Sequence, residues 1–475
     1  MITYQEFIAT YKNGLPTSAG VEAVVNDHKA SDAYKLALIA DDYDRQKNTT
    51  IMAFEKMIHT MTGASMVDPY AANHKIPSNM FRRLNTQRNQ YSLGNGVSFE
   101  KQGVKEKFGE EFDTELQKIG YAALIHGCAF GFWNLDKVKC FRLTEFAPMY
   151  DEETGALRAG VRFWQLTDKH PMNLWLYTED GYMRFSGVSG KIVAKDEKFV
   201  PYKIKVKKTQ ADGEEIMDGE NYPSFPIVPL WGSELKQSTI VGMREGIDAY
   251  DLIRSGLAND LTESAFIYWL VNNAQGMNDL DKSEFLDKLR KSHMAITEGD
   301  GSGAGTTITP FVQDVPHEAR TAYLERIKAG LYEDFGGLDV HTIAAGATND
   351  HIDAAYQPLD ENADDYEYQV IEFVQAIAAL NGIPKQDATP IFKRNRISNQ
   401  MEQTQMVLAA ATYLDEETVI KHLPFISVDE QAEVMKRKAN EDVARYKAME
   451  EELAEQEQAQ QQEQTEPPQE ENINA

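Results

Sequence analysis

The sequence predicts an α+β fold, and three observations carry that reading. Apolar residues recur at three- and four-residue spacing near the start of the chain and again beyond residue 240. From about 132 to 230 that spacing gives way to short alternating runs of aromatic and β-branched residues separated by glycine turns. A hydrophobic content of 42% in 475 residues is enough to bury the cores of several folded units.

In order along the chain, residues 1 to about 60 read as helices, with Phe7, Ile8 and Tyr11 on one face and Tyr34, Leu38, Ile39 and Tyr43 on another. Gly94-Asn95-Gly96 reads as a turn needing positive φ. A helix over 112–132 presents Phe112, Leu116, Ile119, Ala123 and Leu124 and runs into the small-residue stretch His126 to Gly131. The strands that follow include Val161-Arg162-Phe163-Trp164 and Leu174-Trp175-Leu176-Tyr177. Three prolines, Pro223, Pro226 and Pro229, force an extended edge segment. A long helix carries Ile240, Met243, Ile247, Tyr250, Leu257 and Leu261 and extends to about Leu270. Residues 280–312 read as a small mixed unit: a helix with Phe285, Leu286 and Leu289, a strand at 294–296, a glycine-rich tip at 299–305 and a strand at 307–309. A second long helix starts after Asp314, shows Tyr323, Ile327, Leu331 and Phe335, and stops at Gly336-Gly337. Residues 338–357 read as an irregular loop, and a helix over about 360–381 has Tyr366, Val370, Phe373, Val374 and Ile377 on one face. Helices at 397–412 and 428–450 precede a Glu/Gln-rich tail that cannot build a core.

Bulk properties exclude several classes. No apolar run approaches the roughly 20 residues that cross a bilayer; the longest, Phe266 to Val271, is far shorter. The opening residues show no signal-peptide pattern. Two cysteines, Cys128 and Cys140, fit a reducing compartment. A net charge of −27 argues against tight DNA gripping, which relies on phosphate neutralisation.

Catalytic motifs are sparse. Gly299 to Thr306 lacks the lysine of a phosphate-binding loop. His341 and His351 lie near Asp339, Asp350 and Asp353 without metal-ligand spacing. His126 beside Cys128 sits among small apolar residues that suit packing. Asp113, Asp136, Asp151, Asp260 and Glu263 form no recognisable acid/base pair, so neither a cofactor nor a catalytic residue is expected. Two basic clusters stand out. Lys203, Lys205, Lys207 and Lys208 lie along one strand, where alternation puts the first three on one face, and Lys393, Arg394 and Arg396 form the other. Each suits a solvated face, DNA or a neighbouring acidic subunit.

The order of segments resembles a known family. Phe225-Pro226-Ile227-Val228-Pro229 leads into a helix with Ile247 to Leu252 and Ser255 to Leu261; a small insert ends in Asp314-Val315-Pro316; a second helix ends in Phe335-Gly336-Gly337-Leu338-Asp339. Thr418 to Ile426 adds to the likeness, which covers roughly 80–440 and is to the portal proteins of long-tailed bacteriophages.

The resemblance implies a portal fold and a ring oligomer, typically of twelve subunits. An α/β wing would span 1–240, long paired stem helices 241–271 and 314–336, and a small α/β clip 272–313. A tunnel loop at 337–357, a long helix at 358–381, a helical crown at 382–450 and the acidic tail at 451–475 would follow. His341, Thr342, Thr348, Asn349, Asp350 and His351 would then face the DNA channel, and Asp281, Glu284, Lys288, Arg290, Asp300 and Ser302 would meet a partner at the clip. Implied partners are double-stranded DNA, the terminase large subunit, a head–tail adaptor, and the major capsid and scaffold proteins, with no membrane. The protein would be made in the host bacterial cytoplasm and built into the virion at the portal vertex. The rival readings are another virion structural protein and an acidic cytosolic enzyme.

Overall fold

The computed structural model describes residues 1–59, 63–68, 71–188, 191–209, 215–264, 268–272, 307–311, 317–343, 348–396, 400–423 and scattered positions from 434 to 449. They form two units, residues 1–339 with 358–395, and residues 340–357 with 396 onward. The mixed helix-and-sheet content is that of an α+β protein.

The first unit opens with helices α1 (Tyr4–Ala9), α2 (Ser18–Ala30), α3 (Asp32–Asp44) and α4 (Thr49–Ala53). Their starts are set by side chains: Thr3 and Glu6 form a capping box, Thr17 accepts from Gly20 N–H, and Ser31 from Tyr34 N–H. A two-stranded ribbon, β1 (Met57–His59) and β2 (Ser65–Val67), precedes helix α5 (Met80–Leu93) and strand β3 (Val97–Ser98). Gly96 has φ 70°, as the Gly-Asn-Gly turn requires.

Helix α6 (Phe112–His126) is shorter than its apolar spacing predicts. Gly127 takes the left-handed conformation, φ 83°, and Cys128 begins strand β4 (Cys128–Asn134). Nine strands follow: β5 (Lys137–Arg142), β6 (Phe146–Tyr150), β7 (Leu157–Trp164), β8 (Asn173–Thr178), β9 (Gly181–Val188), β10 (Lys191–Ala194), β11 (Lys203–Thr209), β12 (Glu215–Glu220) and β13 (Ile227–Trp231). Strands β6 to β10 make an antiparallel meander in chain order, whereas β13 returns to pair with β4 in a separate sheet ordered β13-β4-β5. The proline-bearing β13 is an edge strand, where its missing N–H is tolerated.

One face of the meander, with Val161, Phe163, Leu174, Leu176, Met183 and Phe185, buries Phe7 of α1 and Val21, Val24 and Val25 of α2. His28 of α2 is buried at this boundary. Its Nε2 donates to Leu143 O at 2.8 Å, and Nδ1 has no hydrogen-bond partner among the described residues. Burial holds its pKa below the ordinary value despite that hydrogen bond. The folded state therefore favours the neutral ring, while the unfolded chain takes up a proton near pH 6.5. Stability should be full above that pH and fall as the pH drops below it. In thermal unfolding at pH 7.5 and 5.5, His28→Gln, which keeps a donor for Leu143, should lose less than the wild type.

Later in the chain come α7 (Arg244–Ser264), β14 (Tyr268–Asn272), β15 (Thr307–Phe311), α8 (His317–Phe335), α9 (Asn349–Leu380) and β16 (Ile391–Phe392), which pairs with β3. Tyr366, Val370, Phe373, Val374 and Ile377 of α9 cover α6 and the β13-β4-β5 sheet, the face expected from their spacing. The helix expected to run to about Leu270 ends at Ser264; Tyr268 to Asn272 form a strand because aromatic and β-branched side chains suit an extended, paired backbone. The expected helix at 285–289 and strand at 294–296, the 299–305 tip and the Asp314 cap lie outside the described residues.

The second unit holds the start of α9, as far as Gln357, with α10 (Gln400–Ala410) and α11 (Glu416–His422). The boundary within α9 falls at Pro358, whose ring removes one helical N–H.

Candidate functional site

Helices α7 and α8 form an antiparallel pair. At its base Ile247 of α7, with Ile240 and Met243 just before it, is buried with Leu331, Tyr332 and Phe335 of α8 and Phe81 and Leu84 of α5. The Leu331 side chain packs onto the Gly246 backbone, where a Cβ would stand 2.8 Å from Leu331 Cδ2. Towards the other end Arg320 forms an ion pair with Asp260. Beyond the helices Tyr268 pairs with Phe311 and Asn272 with Thr307. In the helix pair and in the strand pair alike, each step up one arm is matched by a step down the other.

A second set of contacts fastens α7 along its length. Asp251, Ser255 and Asn259 recur every four residues and are all buried. Ser78 N–H donates to Asp251 Oδ1 at 2.8 Å, Ile76 N–H to Ser255 Oγ at 3.1 Å, and His74 N–H to Asn259 Oδ1 at 2.6 Å. Four helical residues rise about 6 Å and two extended residues about 6.8 Å, so the two repeats stay in step over three rungs. Pro77, which has no N–H, falls between rungs. At the base Asn48 donates to Asp251, while Asp248 accepts from Tyr43 and, at 2.6 Å, from Thr50. Burial raises the Asp251 pKa above its ordinary value, with the nearby Asp248 charge adding to it. No sequence motif named this ladder, although a polar residue at every fourth position of an otherwise amphipathic helix is a visible signal.

In the second unit Val340–Thr342 forms a short 3-10 turn. Thr348 O accepts from Ile352 N–H at 3.0 Å, and Asn349 N–H donates to Glu402 at 2.7 Å, so a carboxylate satisfies a free N–H at the start of α9. Arg396 reaches Asp353 at 3.2 Å and lies over the Tyr356 ring.

Residues 24–461 match the family model described as "Phage portal protein, SPP1 Gp6-like". The chain belongs to this portal family. It is also similar to a protein named "Portal protein" from Bacillus phage SPP1, 21% identical over 462 residues, which cover 88% of this chain and 85% of that protein. A second "Portal protein", from Clostridium phage phiCD119 (strain Clostridium difficile/United States/Govind/2006), is 26% identical over 226 residues, 46% of this chain and 49% of that protein. The chain thus spans about half the length of the Clostridium phage relative and most of the Bacillus phage one.

Within the portal-family chain the residues singled out from sequence fall as follows. Asn349, Asp350 and His351 belong to the first turn of α9 rather than to an irregular loop, because Thr348 and Glu402 supply the acceptors that start a helix there; the loop expected to reach residue 357 stops at 348. Thr348 Oγ1 lies 3.4 Å from His351 Nδ1, and His341 and Thr342 are in the 3-10 turn. Asp281, Glu284, Lys288, Arg290, Asp300 and Ser302 lie outside the described residues.

The basic clusters are largely engaged. Arg394 pairs with Asp360 at 2.9 Å, with Glu367 at 2.8 Å and with Asp364, all on α9. On β11 a bulge between Ile204 and Val206 breaks the expected alternation, so Lys203, Lys205 and Lys207 do not follow a regular pleat; Lys205 pairs with Glu220.

Reactive chemistry is poorly supported among the described residues. They contain no group of three or more His, Cys, Asp or Glu placed to hold a metal ion, and no helix among them is long and apolar enough to cross a membrane. Burial pushes the Cys140 thiol up to about 12 and the Cys128 thiol higher still, the reverse of nucleophile activation. His126 is buried and bonded to Asp41 Oδ1 at 2.9 Å. Burial alone would raise the Asp41 pKa, but His126 and Arg142 hold it below its ordinary value.

Proposed function

We propose that the chain is one subunit of a ring-shaped portal at the capsid vertex of a tailed phage, a non-enzymatic conduit through which double-stranded DNA enters and leaves. Membership of the portal family supports this reading, and the antiparallel pairing of α7 with α8, with the β14–β15 strand pair between them in chain order, is the structural observation that carries it. A rod-like element with a strand pair at its far end, repeated about an axis, makes a funnel wall. In this reading 1–240 is the wing, 241–271 and 314–336 the stem, 272–313 the clip and 382–450 the crown, in a ring of twelve. The clip would dock the terminase large subunit and later the head–tail adaptor, and the ring would start capsid assembly with major capsid and scaffold proteins. The protein would be synthesised in the bacterial cytoplasm. A net charge of −27 per copy would let DNA phosphate slide without sticking.

The segment from His341 to Thr348 would then border the DNA path. Replacing 341–347 by a Gly/Ser linker of equal length, which leaves α9 intact, should preserve rings and abolish most DNA packaging in a complementation assay. Rings with wild-type packaging would remove this segment from the path.

A further inference from the structure

The ribbon of β1 and β2 is a separate two-stranded sheet, and no third strand borders it among the described residues. Its root is pinned. Asp68 N–H donates to Lys56 O at 2.9 Å and closes the neck of the ribbon. Lys75 Nζ donates to Met52 O at 2.6 Å, and the adjacent His74 N–H is the one that enters the α7 ladder at Asn259. The ribbon is therefore held beside α7.

Both of its faces carry apolar side chains. Met57 lies directly across from Val67, so the two share one face; Met66, one residue along β2, points to the other. With Met52 and Phe54 just before β1, they make five large apolar side chains, each between 41% and 50% exposed. Together they approach the few hundred Å² at which an exposed apolar patch marks an interaction surface. Two strands alone are also marginally stable in water, so the ribbon gains from being covered. Its charge sets it apart from the rest of the chain. Residues 49–78 carry two acids, Glu55 and Asp68, and two bases, Lys56 and Lys75, a neutral stretch within a net charge of −27.

We infer that this ribbon is a contact between copies of the chain, its two apolar faces enclosed by the next copy in the ring. The inference rests on the ring reading above. Copies that each carry a net charge of −27 repel, and they meet at least cost where the surface is neutral and no charge has to be desolvated. A partner that covers one face, as a lipid surface would, leaves the other apolar face in water, whereas a groove in a protein covers both. DNA phosphate would find no net positive charge here to neutralise it. A ribbon on one copy taken up by a different surface of the next is a heterologous contact, the kind that closes into a ring when repeated.

Placing charge on each face in turn tests the contact. One variant carries Met57→Glu and Val67→Glu, a second carries Met66→Glu, and a third, conservative variant carries Met57→Leu and Met66→Leu. Native mass spectrometry reads assembly, and circular dichroism checks the fold. Because these side chains are exposed within one copy, all three variants should fold as the wild type does. The first two should lose rings and the third should keep them. A fourth protein carries a photoreactive benzophenone residue in place of Met66, and on illumination its rings should yield products of two or more linked chains. Rings formed by both glutamate variants as by the wild type would overturn the contact, and rings lost from only one of them would overturn the enclosure of both faces. Benzophenone rings without links between chains would overturn it as well. Flotation with neutral phospholipid vesicles, abolished by the glutamates while rings persist, would assign the ribbon to lipid instead. A wild-type chain that forms no rings would remove the ring reading and this contact together.

Discussion

Asp251→Ala should cost about 1–3 kcal/mol, because it leaves Ser78 N–H buried without an acceptor, while the Asn48 amide keeps only its 3.3 Å bond to Ser78 O. Asp251→Asn should behave differently. Its side-chain oxygen still accepts from Ser78, and a half-turn of the Asn48 amide would present Oδ1, which has no partner among the described residues, to the new donor. The raised Asp251 pKa adds a sign. Keeping an ionised carboxylate in this setting costs folding energy above its unfolded pKa, and that cost vanishes as the group is protonated on acidification. The Asn variant should therefore match or exceed the wild type at pH 7. Chemical denaturation of the three proteins checks the order Asn at least equal to wild type, with Ala lowest. An Ala variant as stable as the Asn one would mean that the ladder does not hold α7.

Gly127→Ala should cost about 2–5 kcal/mol. Gly127 sits at φ 83°, where an L side chain costs about 1–2 kcal/mol. A Cβ there would also lie 2.6 Å from Gln237 C and 2.7 Å from Ser238 N, which are backbone atoms that cannot swing aside, and overpacking of this kind adds about 1–3 kcal/mol. The strain falls where α6 passes into β4 beside the chain leading to α7, so it should disturb both the β13-β4-β5 sheet and the base of the α7–α8 pair. Denaturant midpoints measured on purified protein check this. A shift below about 0.5 kcal/mol, typical of ordinary surface changes, would contradict the close approach.

Much of this architecture was legible in the sequence because it rests on local periodicity. The aromatic and β-branched runs from Phe132 to Leu230 became strands, and the α9 face from Tyr366 to Ile377 became core. Gly96 turned where positive φ was expected, and α8 stopped at the Gly336-Gly337 pair. What was missed depends on partners distant in the chain. Residues 349–357 are rich in Asp and Ala and precede Pro358, and the segment reads as loop, yet Glu402 accepts from Asn349 N–H where the helix begins. The Tyr268 to Asn272 run continues the apolar spacing of α7 and becomes a strand through pairing with 307–311. The lysines of β11 lost their common face to a bulge that alternation cannot foresee. The Asp251, Ser255 and Asn259 ladder answers an extended segment more than 170 residues earlier, which no local window contains.

In the proposed function, copies of this chain close into a ring around a DNA path. Electron microscopy of the purified full-length protein, with its mass determined in parallel, tests it most directly. Rings with a central hole and a mass close to twelve times the 53.6 kDa chain are expected. A stable monomer or dimer across protein concentration and salt, with no ring formed, would contradict it.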